Sequence, residues 1–138
     1  MQIPLIVRAP GIKGGQRRSG LVESIDLYPT LCELSGLTSP DHLQGRSFVP
    51  VLKDSGRSTR EDVYTVVTRG ELLGRAIRTE RWRYADWEKP GHFELYDLKN
   101  DPRELTNLVE NPEYAKVVAK MKKRLQARQM EAAEKRGE

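Results

Sequence analysis

The sequence predicts an α+β fold in which a four-stranded antiparallel sheet carries a C-terminal helix on one face. Three observations support this prediction. Residues 62–98 contain four short segments rich in β-branched and aromatic residues, which is typical of strands. The links between these segments are short, and short links favour antiparallel pairing. The last part of the chain repeats apolar residues at helical spacing.

The chain opens with residues 3–7 (IPLIV), a short apolar run that is typical of a fully buried strand. No segment close to it in sequence predicts a sheet for this strand, so it resembles the last strand of something larger. The Gly- and Arg-rich segment 11–20 lacks the order of glycine, lysine and serine or threonine that a phosphate-binding loop requires. It therefore predicts an exposed loop.

Residues 26–36 predict a helix. Asp26 suits its N-cap, and Pro29 falls in the first turn, where a missing N–H costs little. Gly36 suits the position just after the helix end. Leucines at 27, 31 and 34 share one face. A short turn of helix is also expected at 48–52.

The four strands are expected in DVYTVVTR, GRAIRTE, WRYADW and FELYDL, linked by GELLG, ER and EKPGH. Alternation along the third strand places Trp82 and Tyr84 on one face and Arg83 and Trp87 on the other. We predict that one aromatic pair is core against the terminal helix and that the other face carries a mixed Arg/Trp surface.

The segment 110–136 is the clearest helical element, with Pro112 in its first turn. Its apolar residues form one narrow stripe, sufficient to cover a small sheet. Beyond Leu125 the stripe fades, which predicts a frayed end. The stripe consists of Tyr114, Val117, Val118, Met121 and Leu125.

The composition excludes several functions. The formal net charge is +4, from 24 Lys and Arg against 20 Asp and Glu, so the chain is only mildly basic. His42 and His92 are far apart, and no metal-binding spacing or activated nucleophile occurs. Cys32 is the only cysteine and is expected to be a buried apolar residue. No membrane span and no signal-peptide pattern is found.

The stretch 75–87 (RAIRTERWRYADW) combines arginines with aromatic residues, as in surfaces that bind single-stranded nucleic acid. Glu80 and Asp86 lie inside it and dilute its charge. We therefore expect no nucleic-acid partner. A separate expectation concerns the polar loop after the last strand: Asp97, Asp101 and Asn107 are expected to fix that turn rather than to bind a ligand.

Five segments together resemble, in order, the C-terminal part of the sulfatase family, most closely its iduronate-2-sulfatase-type branch. On this resemblance, residues 1–58 correspond to the tail end of an alkaline-phosphatase-like catalytic α/β domain and residues 59–138 to the C-terminal subdomain. The implied activity is sulfuric ester hydrolysis, with sulfated glycans such as glycosaminoglycans as an expected substrate class. The segments are IPLIVRAPG, LVESIDLYPTLCELSGL, LQGRSFVPVL, RAIRTERWRYADW and ELYDLKNDPRELTNL.

The resemblance also implies a formylglycine nucleophile, made from the Cys or Ser of a C/S-x-P-x-R motif, and a calcium ion. The chain departs from the family here, because Cys32 is followed by Glu33–Leu34–Ser35 and no serine fits the motif. We assign no catalytic residue and no metal ligand to it, and expect both groups in the full-length parent. The expectation is a C-terminal fragment that is inactive alone, has the missing catalytic domain as its partner, and could self-associate through the surface exposed without it.

Arg60, Arg78 and Trp87 are the candidates for substrate contact. A guanidinium suits a sulfate or a uronate carboxylate, and an indole suits the C–H side of a sugar ring. The competing interpretation is that Arg78 pairs with a neighbouring carboxylate and that Trp87 is interdomain core. The alternative function is a non-catalytic module that binds sulfated or other anionic polymers. The family is often secreted, periplasmic or lysosomal, and no compartment is assigned to this chain.

Overall fold

The computed structural model describes residues 3–54, 56–89 and 91–134. The chain divides into two units, Met1–Arg60 and Glu61–Glu138. Within the described ranges, no helix has both the length and the apolar character that a bilayer crossing needs. The elements in chain order are α1 (Leu27–Leu34), α2 (Val49–Lys53), β1 (Val63–Arg69), β2 (Leu72–Arg78), β3 (Trp82–Asp86), β4 (Phe93–Asp97) and α3 (Ala115–Glu134).

The predicted helix at 26–36 is confirmed as α1, and Gly36 follows it with a φ of +69°, as its place after the helix end requires. The side of α1 that its leucines share is not the buried side. Leu27 and Leu31 are 40% and 60% exposed, and the buried face of α1 consists of Pro29, Thr30 and Cys32. The Thr30 hydroxyl on this face accepts the N–H of Phe48 at 3.0 Å. The spacing of apolar residues gives no sign of such a hydrogen bond, so it could not predict which side of α1 is buried.

The first unit is organised around the carboxylate of Asp26, which is completely buried. Its Oδ2 accepts the N–H of Glu23 and the Nε–H of Arg60, each at 2.8 Å. Its Oδ1 accepts the N–H of Arg46 at 2.8 Å, and the Arg60 Nη2 also contacts this oxygen. Asp26 occupies the N-cap position of α1 as predicted, but its side chain ties the helix to distant backbone instead of capping it.

The hydrogen bonds of Asp26 determine its protonation. Burial alone would raise the pKa of the carboxyl, because low polarity disfavours charge. Hydrogen bonds from Arg60 and from the N–H groups of Arg46 and Glu23 outweigh burial and hold the pKa below its ordinary value. The stability that this carboxylate contributes is therefore present above its unfolded pKa of about 3.9 and is lost as the pH falls through the lower folded pKa.

The turn of helix expected at 48–52 is confirmed as α2, and Val49 and Val51 are buried with Phe48. A helix C-terminus leaves backbone carbonyls without intrahelical partners. The Arg18 guanidinium donates to two of them, the carbonyl oxygens of Val51 at 3.0 Å and Leu52 at 3.1 Å. One arginine therefore links the otherwise irregular segment before α1 to α2.

The buried strand predicted at residues 3–7 is wrong for this structure. These residues form no regular element, and Ile3 and Ile6 are 73% and 94% exposed. A strand needs neighbours for its N–H and C=O groups. Within the described residues, the four strands of the sheet pair with one another and none pairs with this segment.

The predicted antiparallel meander is confirmed, with strand order β1-β2-β3-β4. The first hairpin is tighter than expected. Arg69 lies opposite Leu72, so the loop consists of Gly70 and Glu71 alone, and β2 begins two residues before the predicted strand. Gly70 has a φ of +59°, a conformation that two-residue hairpin loops require at their first position.

The terminal helix packs on one face of the sheet, as predicted. Directly opposed positions of three strands, Ile77, Tyr84 and Leu95, meet Met121 and Leu125 of α3, and all five side chains are at most 2% exposed. Burial and the nearby Asp86 raise the pKa of Tyr84 to about 12, so its phenol stays neutral. The surrounding half-buried residues are Tyr64, Trp82, Phe93, Leu108, Val109, Tyr114, Val117 and Val118.

The frayed end predicted after Leu125 is wrong as far as the structure describes the chain, because α3 continues to Glu134. This last part is rich in residues with high helix propensity. It also contains an ion pair at helical spacing between Arg128 and Glu131, with 2.7 Å between Nη1 and Oε2. Both favour the helix where the apolar stripe has ended.

The polar loop after β4 is fixed as predicted. Asp97 accepts the N–H of Lys99 at 3.2 Å, and Asp101 accepts two further backbone N–H groups of the loop at 2.7 and 2.8 Å. Asn107 pairs with the outer edge of β4. Its Oδ1 accepts the N–H of Leu95 at 2.9 Å and its Nδ2 donates to the Phe93 carbonyl at 3.0 Å. The side chain thus covers part of an exposed strand edge.

Leu95→Ala should destabilise the second unit by about 2–5 kcal/mol, because it removes a completely buried side chain from a core of few residues. Urea unfolding followed by tryptophan fluorescence measures this unit alone, since both tryptophans lie within it. The matched control is Leu105→Ala at a side chain that is 77% exposed, with an expected change within about 0.5 kcal/mol. Equal effects of the two substitutions would contradict this core.

Asp26→Asn should destabilise the first unit by about 3 kcal/mol or more, because the buried Arg60 guanidinium loses one of its acidic partners. Amide hydrogen exchange across α1 measures this loss. Protection in the unsubstituted chain should fall as the pH drops below about 4, whereas the variant should lack this step. Asp41→Asn, at an exposed carboxylate, is the control, and identical pH profiles for Asp26→Asn and the unsubstituted chain would refute the assignment.

Candidate functional site

The sheet face opposite α3, called here the second face, carries the polar and aromatic side chains of the strands. The predicted alternation is confirmed: Trp82 and Tyr84 lie on the α3 side, and Arg83 and Trp87 both contact Glu94 on the second face. The strand register fixes this arrangement. The second face is defined by Arg69, Gly74, Arg78, Arg83, Trp87, Glu94 and Tyr96.

Trp87 is held in a defined position on the second face. Its ring lies so close to Gly74 that a Cβ on that residue would stand 2.6 Å from two ring atoms. The indole Nε1 donates to Oε1 of Glu94 at 3.1 Å. The Arg69 guanidinium lies 5.4 Å from the ring centroid, within the range of a cation–π contact. The half-buried ring is therefore fixed by contacts on several sides.

Arg83 connects the sheet to the loop after β4. Its Nη2 lies 3.1 Å from the Glu94 carboxylate and 3.0 Å from that of Glu104, and its guanidinium stacks 4.9 Å from the Tyr96 ring centroid. Glu104 has a φ of +57°, a left-handed conformation that is unfavourable for a residue with a Cβ. The ion pair with Arg83 offsets part of this cost. Sequence reasoning missed the network, because it depends on this backbone conformation.

Arg78 lies directly opposite Arg83 in the register of β2 and β3. Its Nε is shielded from solvent and has no hydrogen-bond acceptor among the residues that the structure describes. A buried donor without an acceptor costs about 1–3 kcal/mol. Arg78 and Trp87 share a face without being neighbours, since Arg78 is four residues, about 13 Å, along β2 from Gly74.

The other arginines of the stretch 75–87 are paired within the second unit. Arg75 pairs with Glu88. Arg81 donates twice to Asp97, at 3.0 and 2.8 Å, and lies 4.6 Å from the Trp82 ring centroid. The hydrogen bond from Arg81 lowers the pKa of the Asp97 carboxyl. The basic character of this stretch is therefore largely neutralised by its own fold.

Arg60, the third predicted substrate contact, has a different environment. It belongs to the first unit, is buried, and directs its guanidinium to Asp26 and to the Glu23 carboxylate at 2.9 Å. This geometry gives it a structural role. Its contact with substrate stays a prediction that no observed geometry supports.

The described residues do not fit the calcium ion that the family resemblance implies. Across residues 3–54, 56–89 and 91–134, no group of three or more His, Cys, Asp and Glu side chains is arranged to hold a metal ion. Cys32 is buried, as predicted for an apolar residue. Contact of Arg78 and Trp87 with a substrate stays a prediction.

Gly74→Ala should displace the Trp87 ring, because the new methyl group would overlap it. We expect a shifted Nε1–H resonance of Trp87 in the NMR spectrum, as its hydrogen bond to Glu94 lengthens, and a loss of about 1–3 kcal/mol in stability. Gly14→Ala, where a Cβ meets nothing within 4 Å, is the control. An unchanged Trp87 resonance in Gly74→Ala would show that the ring does not cover this position.

Three relatives define what the chain resembles. It is 33% identical over 128 residues to the Delta 4,5-hexuronate-2-O-sulfatase of Bacteroides thetaiotaomicron, covering 85% of this chain and 26% of that protein. It is 30% identical over 117 residues to human arylsulfatase K, covering 77% and 22%. The solved structure of BT4656, in complex with its substrate D-glucosamine-2-N,6-O-disulfate, superposes with a TM-score of 0.79 and 28% identity over 86% of this chain and 26% of that one.

The chain spans about a quarter of the length of these relatives. The family model described as N-sulphoglucosamine sulphohydrolase, C-terminal, matches residues 1–131, nearly the whole sequence. The match agrees with the sheet-and-helix fold described above and confirms the resemblance that the strand and loop motifs predicted. The chain therefore belongs to the sulfatase family, in the part that this model describes as C-terminal.

Proposed function

We propose that this chain is the C-terminal part of a sulfuric ester hydrolase that acts on sulfated glycans, and that it does not hydrolyse sulfate esters by itself. The observation that carries the proposal is the family match over residues 1–131. Two named relatives support the substrate class, one as a hexuronate-2-O-sulfatase and one by its disulfated glucosamine substrate.

The proposed inactivity follows from what sulfate-ester hydrolysis requires. A nucleophile must attack sulfur, and positive groups must stabilise the charge that develops on the sulfuryl oxygens. The sequence contains no C/S-x-P-x-R motif, and the described residues offer no metal cluster. We place the formylglycine and the calcium ion in the remainder of a longer parent protein, which would supply the nucleophile and the Lewis acid.

The proposed contribution of this chain is recognition through Arg78 and Trp87. No carboxylate pairs with the half-buried Arg78 among the described residues, so its guanidinium is available to a sulfate or carboxylate. Trp87 offers a ring that Gly74, Glu94 and Arg69 hold in place before any ligand arrives. Because about 13 Å of strand separates them, the two side chains would contact different parts of a glycan rather than one sulfate group.

The purified chain should release no product from an aryl sulfate or from a sulfated glucosamine above the uncatalysed rate, with or without Ca²⁺. A coupled sulfate assay at several chain concentrations measures this. Metal-dependent turnover that is proportional to chain concentration and persists through purification would overturn the proposed inactivity.

A control on the parent completes this experiment. An antibody against the chain, applied to cells that express the gene, should detect a polypeptide about four times as long, in keeping with the 26% of its relative that the chain covers. Mass spectrometry of that polypeptide should find the C/S-x-P-x-R segment. Its turnover of the same substrates, in the same assay, shows that the negative result with the isolated chain is meaningful.

A further inference from the structure

The helix α3 has an uneven distribution of charge that neither the core nor the second face explains. Between Glu113 and Glu131 the sequence contains no acidic residue. Six basic residues lie in this interval, Lys116, Lys120, Lys122, Lys123, Arg124 and Arg128. Such a run on a stable helix is either a solvated surface or a binding surface, and its contacts distinguish the two.

Half of these basic residues have contacts within the second unit. Arg124 pairs with Asp62 at 2.9 Å and with Glu61 at 3.1 Å, which fastens α3 to the start of β1. Arg128 pairs with Glu131 along the helix. The Lys122 ammonium lies 5.7 Å from the Phe93 ring centroid. These three side chains therefore have structural roles.

The other three, Lys116, Lys120 and Lys123, form what is called here the lysine row. They are exposed, and their spacing of four and then three residues places them on one side of α3 over about 10 Å. No carboxylate pairs with any of them within the described part of the chain. The row is also presented from a fixed base, because Met121 and Leu125 of the same helix are buried in the core.

The lysine row works against the stability of its own helix. Like charges three or four residues apart cost a helix about 0.2–0.5 kcal/mol per pair. Lys116 lies in the first turn of α3, where the positive end of the helix dipole disfavours a cation. Three unpaired cations held together at this cost favour a polyanionic ligand over a simple solubilising surface.

We propose that the lysine row binds a chain of sulfated polysaccharide, and the choice of ligand rests on the proposed function. Ammonium groups on flexible stems act as point charges, which suits sulfates repeated along a pliable chain and does not require a fixed bidentate geometry. Release of counterions supplies the driving force. The described exposed side of α3 carries no aromatic ring on which a nucleic-acid base could stack, so nucleic acid is the less fitting polyanion.

The test compares heparin fragments of defined length binding to the full chain and to the variant Lys116→Gln/Lys120→Gln/Lys123→Gln. Calorimetry at two or more salt concentrations gives affinity and its salt dependence. We expect the variant to bind about tenfold more weakly at low salt, since three exposed ionic contacts are lost. The slope of log K against log salt should fall by about 2 if each contact contributes as on single-stranded polyanions.

Two control variants make the result specific. Lys13→Gln/Lys53→Gln/Lys99→Gln removes the same three units from the net charge of +4, at exposed lysines scattered over the chain, and should bind nearly as the unsubstituted chain does. Arg78→Gln alters the second face, which we propose to contact sulfated glycans separately, so the lysine-row substitutions should weaken heparin binding by the same factor with and without it. Circular dichroism should show the lysine-row variant folded, with an equal or higher Tm because repulsion within α3 is relieved.

Several outcomes would overturn the inference. Equal losses in the two lysine variants would mean that net charge alone attracts the polymer. A loss confined to Arg78→Gln would place the polymer on the second face. Equally tight binding of a DNA strand of matched charge would replace the polysaccharide by nucleic acid. None of these outcomes bears on the aryl sulfate assay, so the inference can fail while the proposed function stands. Conversely, turnover by the isolated chain would refute the proposed inactivity and would say nothing about polysaccharide binding by the lysine row.

Discussion

The packing of α3 across one face of the sheet commits Ile77, Tyr84 and Leu95 to the core of the second unit. Since side chains alternate along a strand, this commitment sends their neighbours Arg78 and Arg83 to the opposite face. Packing of the apolar core therefore decides which side chains lie on the second face. The polar side chains there are positioned by the burial of their neighbours on the opposite side of the sheet. A disturbance of the core would also disturb the recognition surface that we propose.

Electrostatic contacts replace apolar packing where the chain has little of it. In the first unit the buried Asp26 accepts a hydrogen bond from the backbone of Arg46, far along the sequence, and it forms a buried ion pair with Arg60. In the second unit Arg83 binds a strained loop to the sheet. Such pairs are weak evidence for net stability, but the loss of one partner is costly, so they fix one arrangement of loops. The lysine row on α3 contrasts with both because its charges are not used internally.

The strands, their order and the helix that covers them could be predicted, because period-2 and period-3.6 patterns describe the local surroundings of each residue. The same logic separated Trp82 from Trp87. It failed for residues 3–7, where an apolar run has no strand to pair with among the described residues, and for α1, whose buried side is chosen by the Thr30 hydroxyl. The pair of Asp26 and Arg60, 34 positions apart, leaves no periodic trace in the sequence. The burial of Arg60 against Asp26 could therefore not be predicted from the spacing of residues in the sequence.

The place of Arg78 has a consequence for how the second face meets an anion. Two arginines directly opposite each other, Arg78 and Arg83, should repel. Arg83, however, pairs with two carboxylates, those of Glu94 and Glu104. Arg83 and its two partners together have a net charge of −1, which lies beside Arg78. Arg78 is thus compensated at a distance while the donor on its Nε remains without an acceptor among the described residues. The charges of these two arginines and two carboxylates sum to zero, so an arriving anion need not displace a resident carboxylate from Arg78 before it binds.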